Sequence, residues 1–240
     1  MFHGNLVTVI IPALNEAGSI AQVIGAIDRT LVDEIVVGDN GSTDGTAAVA
    51  TAAGAKVVAA PRRGYGTACL GAIAAARPSD IFVFLDADGS DDASEISLLL
   101  EAMHRAGADI VIGSRVTGTA EPGSLSPVQR FGNALTCALV RWLWGVHYTD
   151  LGPFRAIRRL TYERLQMQDP DFGWTIEMQV KAARLGLPVA EVPVTYRNRQ
   201  AGHSKVSGNL RGSWLAGKRI LGFVFAAKIT ELIARWQFRG

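Results

Sequence analysis

Cysteine is almost missing from this chain. Of its 240 residues only Cys69 and Cys137 carry a thiol, and their spacing fits neither a metal site nor a redox pair, so a reducing compartment is the expectation. Long apolar runs are missing too: no uncharged stretch approaches the ~18 residues of a membrane-spanning helix, which excludes a conventional span. Met1 to Asn5 lack a basic segment, and the apolar run 6–14 leads straight into Asn15 and Glu16, so no signal peptide is expected. Acid is scarce at the end of the chain, where the last 44 residues hold nine Lys/Arg and only Glu231. Charged residues make up 19% against 48% hydrophobic, which excludes a disordered or collagen-like chain. The mean hydropathy of +0.19 is nonetheless high for a soluble protein and needs an explanation.

Opposite charges occupy opposite halves. Residues 1–100 hold five Lys/Arg and twelve Asp/Glu, a balance of −7, while residues 101–240 hold nineteen and ten, a balance of +9. The formal net charge of +2 is therefore a cancellation. A basic tail invites nucleic acid as a partner. No RNP-like, helix-turn-helix or zinc-finger pattern is present, however, and the tail's cations interleave with apolar residues, so nucleic acid is not expected. The length suits one sizeable domain, burying roughly three quarters of the unfolded surface, with or without an appendage.

Strands are expected at 6–11, 34–37, 56–59, 81–85 and 109–112, nearly all apolar, as when helices cover both sheet faces. Helices are expected between them at about 19–29, 44–53, 66–76 and 92–106, with Gly54 and Gly107 as C-terminal caps. This alternation means βαβ units and a mostly parallel α/β sheet. Residues 117–127 (TGTAEPGSLSP) read as a long loop, followed by a helix at 128–145, strands at 149–157 and 188–196, a helix at 175–185 and a last helix at 211–237.

In an open α/β sheet, ligands bind at the carboxyl ends of the strands. Those ends carry Pro12-Ala13-Leu14-Asn15-Glu16, then Gly38-Asp39-Asn40-Gly41, then Asp86-Ala87-Asp88-Gly89, then Gly113-Ser114-Arg115. Each has a structural alternative: Asp44 as a helix cap, Asp39 as an Asx turn, and Ser90, Asp91 and Asp92 as an N-cap cluster. If the chain bends at Asp86-Ala87-Asp88, both carboxylates reach one site. Two hard oxygen ligands with open positions suit Mg²⁺ or Mn²⁺ bridging to phosphate oxygens, offsetting the charge of a diphosphate leaving group. The Gly64-Tyr65-Gly66 stretch lacks a third glycine, since Cys69 stands in its place, so a dinucleotide fingerprint is not expected. Its glycines are read instead as letting backbone make a close approach. A pyrophosphorylase-type nucleotidyltransferase would want its Gly-rich loop after the first strand, where this chain has PALNE.

The ordered set VIIPALNE, VVGDNGSTDGT, FLDADGS and IGSR resembles family 2 glycosyltransferases with the GT-A fold, a Rossmann-like arrangement. TDLGPFRAI, EVPVTYR and the run Arg199 to Lys205 are similar to the polyprenyl-phosphate sugar synthase branch of that family. The resemblance spans about residues 6–210. It implies inverting transfer of a hexose from a UDP or GDP sugar, with a divalent Mg or Mn ion. It also implies roles: Pro12, Asn15, Glu16 and Asp39 on the nucleotide, Asp86 at the ribose or metal, Asp88 on the metal. Arg115, Arg130, Arg199, Ser204 and Lys205 would gather donor and acceptor phosphates. Two positions depart from the family pattern, Asn40 for a second acid and Ser90 for a metal-contacting Gln.

A phosphate acceptor, largely dianionic at neutral pH with a second pKa of ~6, needs cations rather than a base. Arg115, Arg130, Arg155, Arg199 and Lys205 are the candidates. A hydroxyl acceptor would need a base, for which Glu177 is the candidate; its alternative is a structural partner for a nearby arginine. In the last helix Phe225, Ile229, Leu232 and Trp236 form one stripe flanked by Lys228 and Arg235, and Arg141, Trp142 and Trp144 make a similar face. Both point to peripheral contact with the cytoplasmic face of a membrane, against packing on the domain itself. The expectation is a catalytic domain over residues 1–210 and an amphipathic extension over 211–240. The other readings are transfer to a soluble or lipid hydroxyl, and a catalytically silent nucleotide-sugar-binding or membrane-docking module.

Overall fold

The computed structural model describes residues 1–199, 222–224 and 226–229. Seven strands form one sheet: β1 (Val7–Ala13), β2 (Glu34–Asp39), β3 (Lys56–Ala59), β4 (Ile81–Phe84), β5 (Ile110–Ala120), β6 (Arg155–Arg158) and β7 (Val189–Tyr196). Their order is β3-β2-β1-β4-β6-β5-β7. All neighbours are parallel except at β6, which runs antiparallel to both β4 and β5. Within residues 1–199 the α-helices are α1 (Ile20–Gly25), α2 (Thr46–Ala52), α3 (Tyr65–Ala75), α4 (Ile96–Ala106), α5 (Pro127–Trp144), α6 (Arg159–Leu165) and α7 (Trp174–Leu185).

Side chains along a strand alternate between faces, and β1 shows the result. Val7, Val9 and Ile11 pack with Ile20, Val23 and Ile24 of α1 and Leu99, Leu100 and Met103 of α4. Ile10 points the other way, into a core with Cys69 of α3, Val140 of α5 and Trp174, Ile176 and Val180 of α7. Both faces are covered, which is why the strands read as continuous apolar runs. Cys69 and Cys137 are buried and unpaired.

Several expectations change, and the first helix ends at Gly25, short of the expected 29. The segment 117–120 is strand, not loop: β5 continues to Ala120, and after an irregularity between Ser114 and Thr119 it pairs again with β7 at Thr195 and Tyr196. β6 begins at Arg155 and not at the expected 149, and two residues of the loop before it, Leu151 and Pro153, line the site. A short helix, α6, fills the stretch after β6 that no expectation covered. The α5 start has a full capping box: Ser126 accepts from Gln129 N at 3.2 Å, Gln129 Oε1 accepts from Ser126 N at 2.8 Å, and Pro127 opens the helix.

Residues 222–224 and 226–229 are helical. Val224 and Ala227 are buried against the α5 and α7 side of the sheet. Lys228 donates to the Leu143 carbonyl at 2.9 Å and lies 5.3 Å from the centre of the Trp144 ring. Lys228 and Trp144 thus engage each other, where each was expected to face lipid. Ile229 is exposed. The rest of the expected stripe, Phe225, Leu232 and Trp236, lies outside the described residues.

Candidate active site

The carboxyl ends of β1, β4 and β5, the exit of β7 and the start of α5 surround a cavity of about 660 Å³. Its acidic wall comes from the turn after β4. The chain leaves the ladder at Phe84, and Asp86 and Asp88 both line the cavity, as the bend requires. Asp88 is buried; its Oδ1 accepts from Ser90 N at 2.8 Å and Ser90 Oγ at 2.6 Å, while Oδ2 lies 2.8 Å from an Arg199 nitrogen. Asp86 accepts from the Tyr65 hydroxyl at 3.0 Å. Burial first, and then the Asp88 charge, push the Asp86 carboxyl up to about 7.

A third acid was not anticipated in the site. Asp91 is buried behind Asp86, with Oδ2 3.5 Å from the Asp86 amide and no hydrogen-bond partner for Oδ1. Burial, with Asp86 and then Asp88, holds its carboxyl well above the usual range. The capping role falls to Asp92, whose Oδ1 accepts from Ser94 N at 3.1 Å. Three crowded carboxyls and a buried oxygen without a partner are hard oxygen donors whose ionised form a Mg²⁺ or Mn²⁺ ion beside Asp86 and Asp88 would favour. Among the described residues no three His, Cys, Asp or Glu side chains converge to hold a metal by themselves. The remaining positions of such an ion would fall to a ligand's oxygens and water.

The opposite wall is cationic. Arg115 grips the buried Asp150 in a fork, Nε to Oδ2 at 2.8 Å and a terminal nitrogen to Oδ1 at 2.7 Å, and lies 5.0 Å from the Tyr196 ring centre. Burial opposes its charge, but the bonds and charge of Asp150 outweigh that and hold its pKa above the ordinary value. Arg199 spans the mouth, reaching Glu16 at 3.3 Å and Asp88 at 2.8 Å.

Residues 8–172 match the family described as Glycosyl transferase family 2. The chain belongs to that family. This family 2 glycosyltransferase is 40% identical to an uncharacterized glycosyltransferase of Mycobacterium tuberculosis, over 89% of this chain and 95% of the other. It is 33% identical to the polyprenol monophosphomannose synthase of Mycolicibacterium smegmatis, over 84% and 81% of the two chains. Among solved structures it matches the glucosyl-3-phosphoglycerate synthase of M. tuberculosis in complex with Mn²⁺, UDP-glucose and phosphoglyceric acid. That match has a TM-score of 0.75 and 27% identity, covering 94% of this chain and 80% of that one. The mostly parallel sheet with flanking helices is the GT-A fold.

Within the glycosyltransferase site, Pro12, Glu16, Asp86, Asp88, Arg115 and Arg199 come together around the cavity. Asn15 and Asp39 do not line it. Asn15 is tied to the β2 loop, its Oδ1 accepting from Thr43 N at 2.8 Å, and Asp39 Oδ1 accepts from Ser42 N at 3.1 Å in a local turn. Asn40 lines the cavity in place of Asp39 and accepts from Gly64 N at 3.1 Å. Arg130 stands exposed on α5, donating to the Leu125 carbonyl at 3.3 Å, because its neighbour Gln129 takes the cavity side and one residue turns a helix by about 100°. Arg155 is fully buried and donates to the Gly152, Leu151 and Thr175 carbonyls, so it braces the cavity wall and gathers no phosphate. Burial pulls its pKa down to about 10. Gly64 and Gly66 admit the Asp169–Pro170 backbone of this chain, where a Cβ would collide with carbonyl oxygens, and Gly64 also lines the cavity. Ser90 orients Asp88. Ser204 and Lys205 lie outside the described residues.

Glu177 is not placed to act as a base. Its buried carboxylate accepts from Gln168 N at 2.9 Å and Asp169 N at 2.7 Å and pairs with Lys181 at 2.6 Å, away from the cavity. Glu177→Gln is therefore expected to leave kcat for sugar transfer within about threefold of wild type while lowering stability by roughly 1–3 kcal/mol, the cost of buried amides left without an acceptor. Parallel kinetics and urea unfolding measure the two. A kcat loss without a stability loss would restore Glu177 to the chemistry.

Proposed function

We propose that this glycosyltransferase moves a hexose, with inversion, from a UDP or GDP sugar to a polyprenyl phosphate at the cytoplasmic face of a membrane, with Mg²⁺ or Mn²⁺. The nucleotide would occupy the side of Pro12, Glu16 and Asn40. The metal would be held by Asp88 with Asp86, and would polarise the diphosphate as the glycosidic bond breaks. Arg115 and Arg199 would steady phosphate oxygens with forked donors. The catalytic domain over 1–210 and the extension over 211–240 are retained as part of this reading.

The observation that carries the acceptor is the exposed face of α5. Val128, Phe131, Leu135 and Trp142 fall on one side of the helix, with Phe131 69% and Trp142 75% exposed. The helix contains no acid and two arginines, Arg130 and Arg141. At its start, Ser126 and Gln129 line the cavity. An apolar, acid-free track leading to a cavity lined by Arg115 and Arg199 suits a lipid phosphate beneath an anionic surface. None of the described helices is long and apolar enough to cross a membrane. A phosphate acceptor also removes the demand for a base, since the cavity's carboxylates are engaged: Glu16 and Asp88 with Arg199, Asp86 with Tyr65.

A soluble phosphorylated acceptor is the second reading, favoured by the phosphoglyceric acid in the structural relative. The test supplies radiolabelled UDP- and GDP-hexoses with Mn²⁺ to the full chain, together with vesicles containing polyprenyl phosphate or with soluble phosphoglycerate. Label is expected in the solvent-extracted lipid. Label found only in water-soluble phosphoglycerate product would overturn the lipid acceptor.

A further inference from the structure

Arg199 holds the Asp88 oxygen that faces the cavity. Asp88 Oδ1 is already held by the Ser90 amide and hydroxyl, so Oδ2 is the oxygen it can offer to the cavity, and Arg199 holds that oxygen at 2.8 Å. The same guanidinium reaches Glu16 at 3.3 Å, joining the loop after β1 to the turn after β4. Among the described residues, Arg199 is the cation in ion-pair contact with Asp88. A guanidinium and a divalent cation compete for one carboxylate oxygen in a crowded site, because the two positive charges repel each other at such short range.

The backbone carrying Arg199 is anchored while its side chain is long. Arg197 N donates to Ser90 O at 2.7 Å and the Arg197 guanidinium pairs with Asp92 at 2.5 Å. Asn198 N donates to Glu121 at 2.8 Å. A side chain displaced from Asp88 thus remains at the cavity mouth, where its forked donors meet an arriving diphosphate.

We propose that Arg199 is an exchangeable internal counter-ion. It neutralises Asp88 and Glu16 in the empty site, and it transfers to the donor's diphosphate when metal and nucleotide enter together. This rests on the reading that Asp88 holds the metal. The exchange keeps Asp88 paired with a cation at each stage and makes metal and nucleotide bind cooperatively, since each removes an obstacle to the other.

The test is Mn²⁺ binding to the full chain, followed by the electron paramagnetic resonance of the free ion, with and without UDP or GDP. In Arg199→Gln, Mn²⁺ alone is expected to bind about tenfold tighter, because the competing cation is gone, while nucleotide with Mn²⁺ binds about tenfold weaker. Arg199→Lys, which can reach one carboxylate but not fork between two, is expected to fall between; it also serves if the glutamine variant melts early. Equal or weaker Mn²⁺ binding by Arg199→Gln, with wild type binding Mn²⁺ in the presence of nucleotide, overturns the exchange. Wild type that binds no Mn²⁺ with either nucleotide, or Asp88→Asn that binds it unchanged, overturns the metal reading instead.

Discussion

Asp88→Asn is expected to lower kcat/KM for sugar transfer by about 10³-fold, equivalent to roughly 4 kcal/mol of transition-state stabilisation. The substitution keeps the shape, so Ser90 retains an oxygen to bond. What it removes is the negative charge facing the cavity, on the oxygen 2.8 Å from Arg199. A neutral amide is a poor partner for a hard dication, and the leaving diphosphate would then develop its charge with less compensation. Steady-state transfer at saturating Mn²⁺, with thermal melting as the check on folding, measures the effect. Undiminished turnover would place the metal on other residues.

Asp150→Ala is expected to have the largest effect on stability, about 3 kcal/mol, because it strands the arginine partner of a buried carboxylate, itself only partly exposed at the cavity. Asp150 has no exposed surface and accepts from the backbone amide, Nε and a terminal nitrogen of Arg115, and from Leu151 N at 2.7 Å. Removing the carboxylate leaves these donors beneath the Tyr196 ring without a counter-charge. The denaturant midpoint should fall with an unchanged slope, the sign of lost stability without a changed unfolded state. A loss below about 1 kcal/mol would mean that water reaches the guanidinium and that the pair behaves as a surface ion pair.

Much of this was legible because local chemistry repeats. Apolar runs marked the first five strands, and the rule that ligands gather at strand ends pointed to Glu16, Asp86, Asp88 and Arg115. What escaped depends on pairing at a distance. Residues 116–120 are mostly exposed and rich in Gly and Thr, so their strand character comes from the ladder with β7 and leaves no apolar trace. Asp91 looked like a cap because it precedes a helix, and only burial against Asp86 separates it from Asp92. Asp150 sits in a short polar interruption of an expected strand; a lone acid there was the signal available. Glu177 misled for the converse reason, since an acid on an apolar helix near an aromatic cluster looks the same whether it faces a ligand or a ring of backbone amides.

The reversed strand β6 has a geometric effect. Adjacent strands lie about 4.8 Å apart, so inserting one between β4 and β5 sets the Asp86–Asp88 turn and Arg115 roughly 9.5 Å apart across the sheet. Because β6 runs the other way, its incoming loop, with Leu151 and Pro153, arrives at the same edge and floors the gap. The strand acts as a ruler. It fixes the distance between the anionic and cationic jaws by backbone hydrogen bonding, so loops and side chains around the site can vary while the gauge of the opening stays constant.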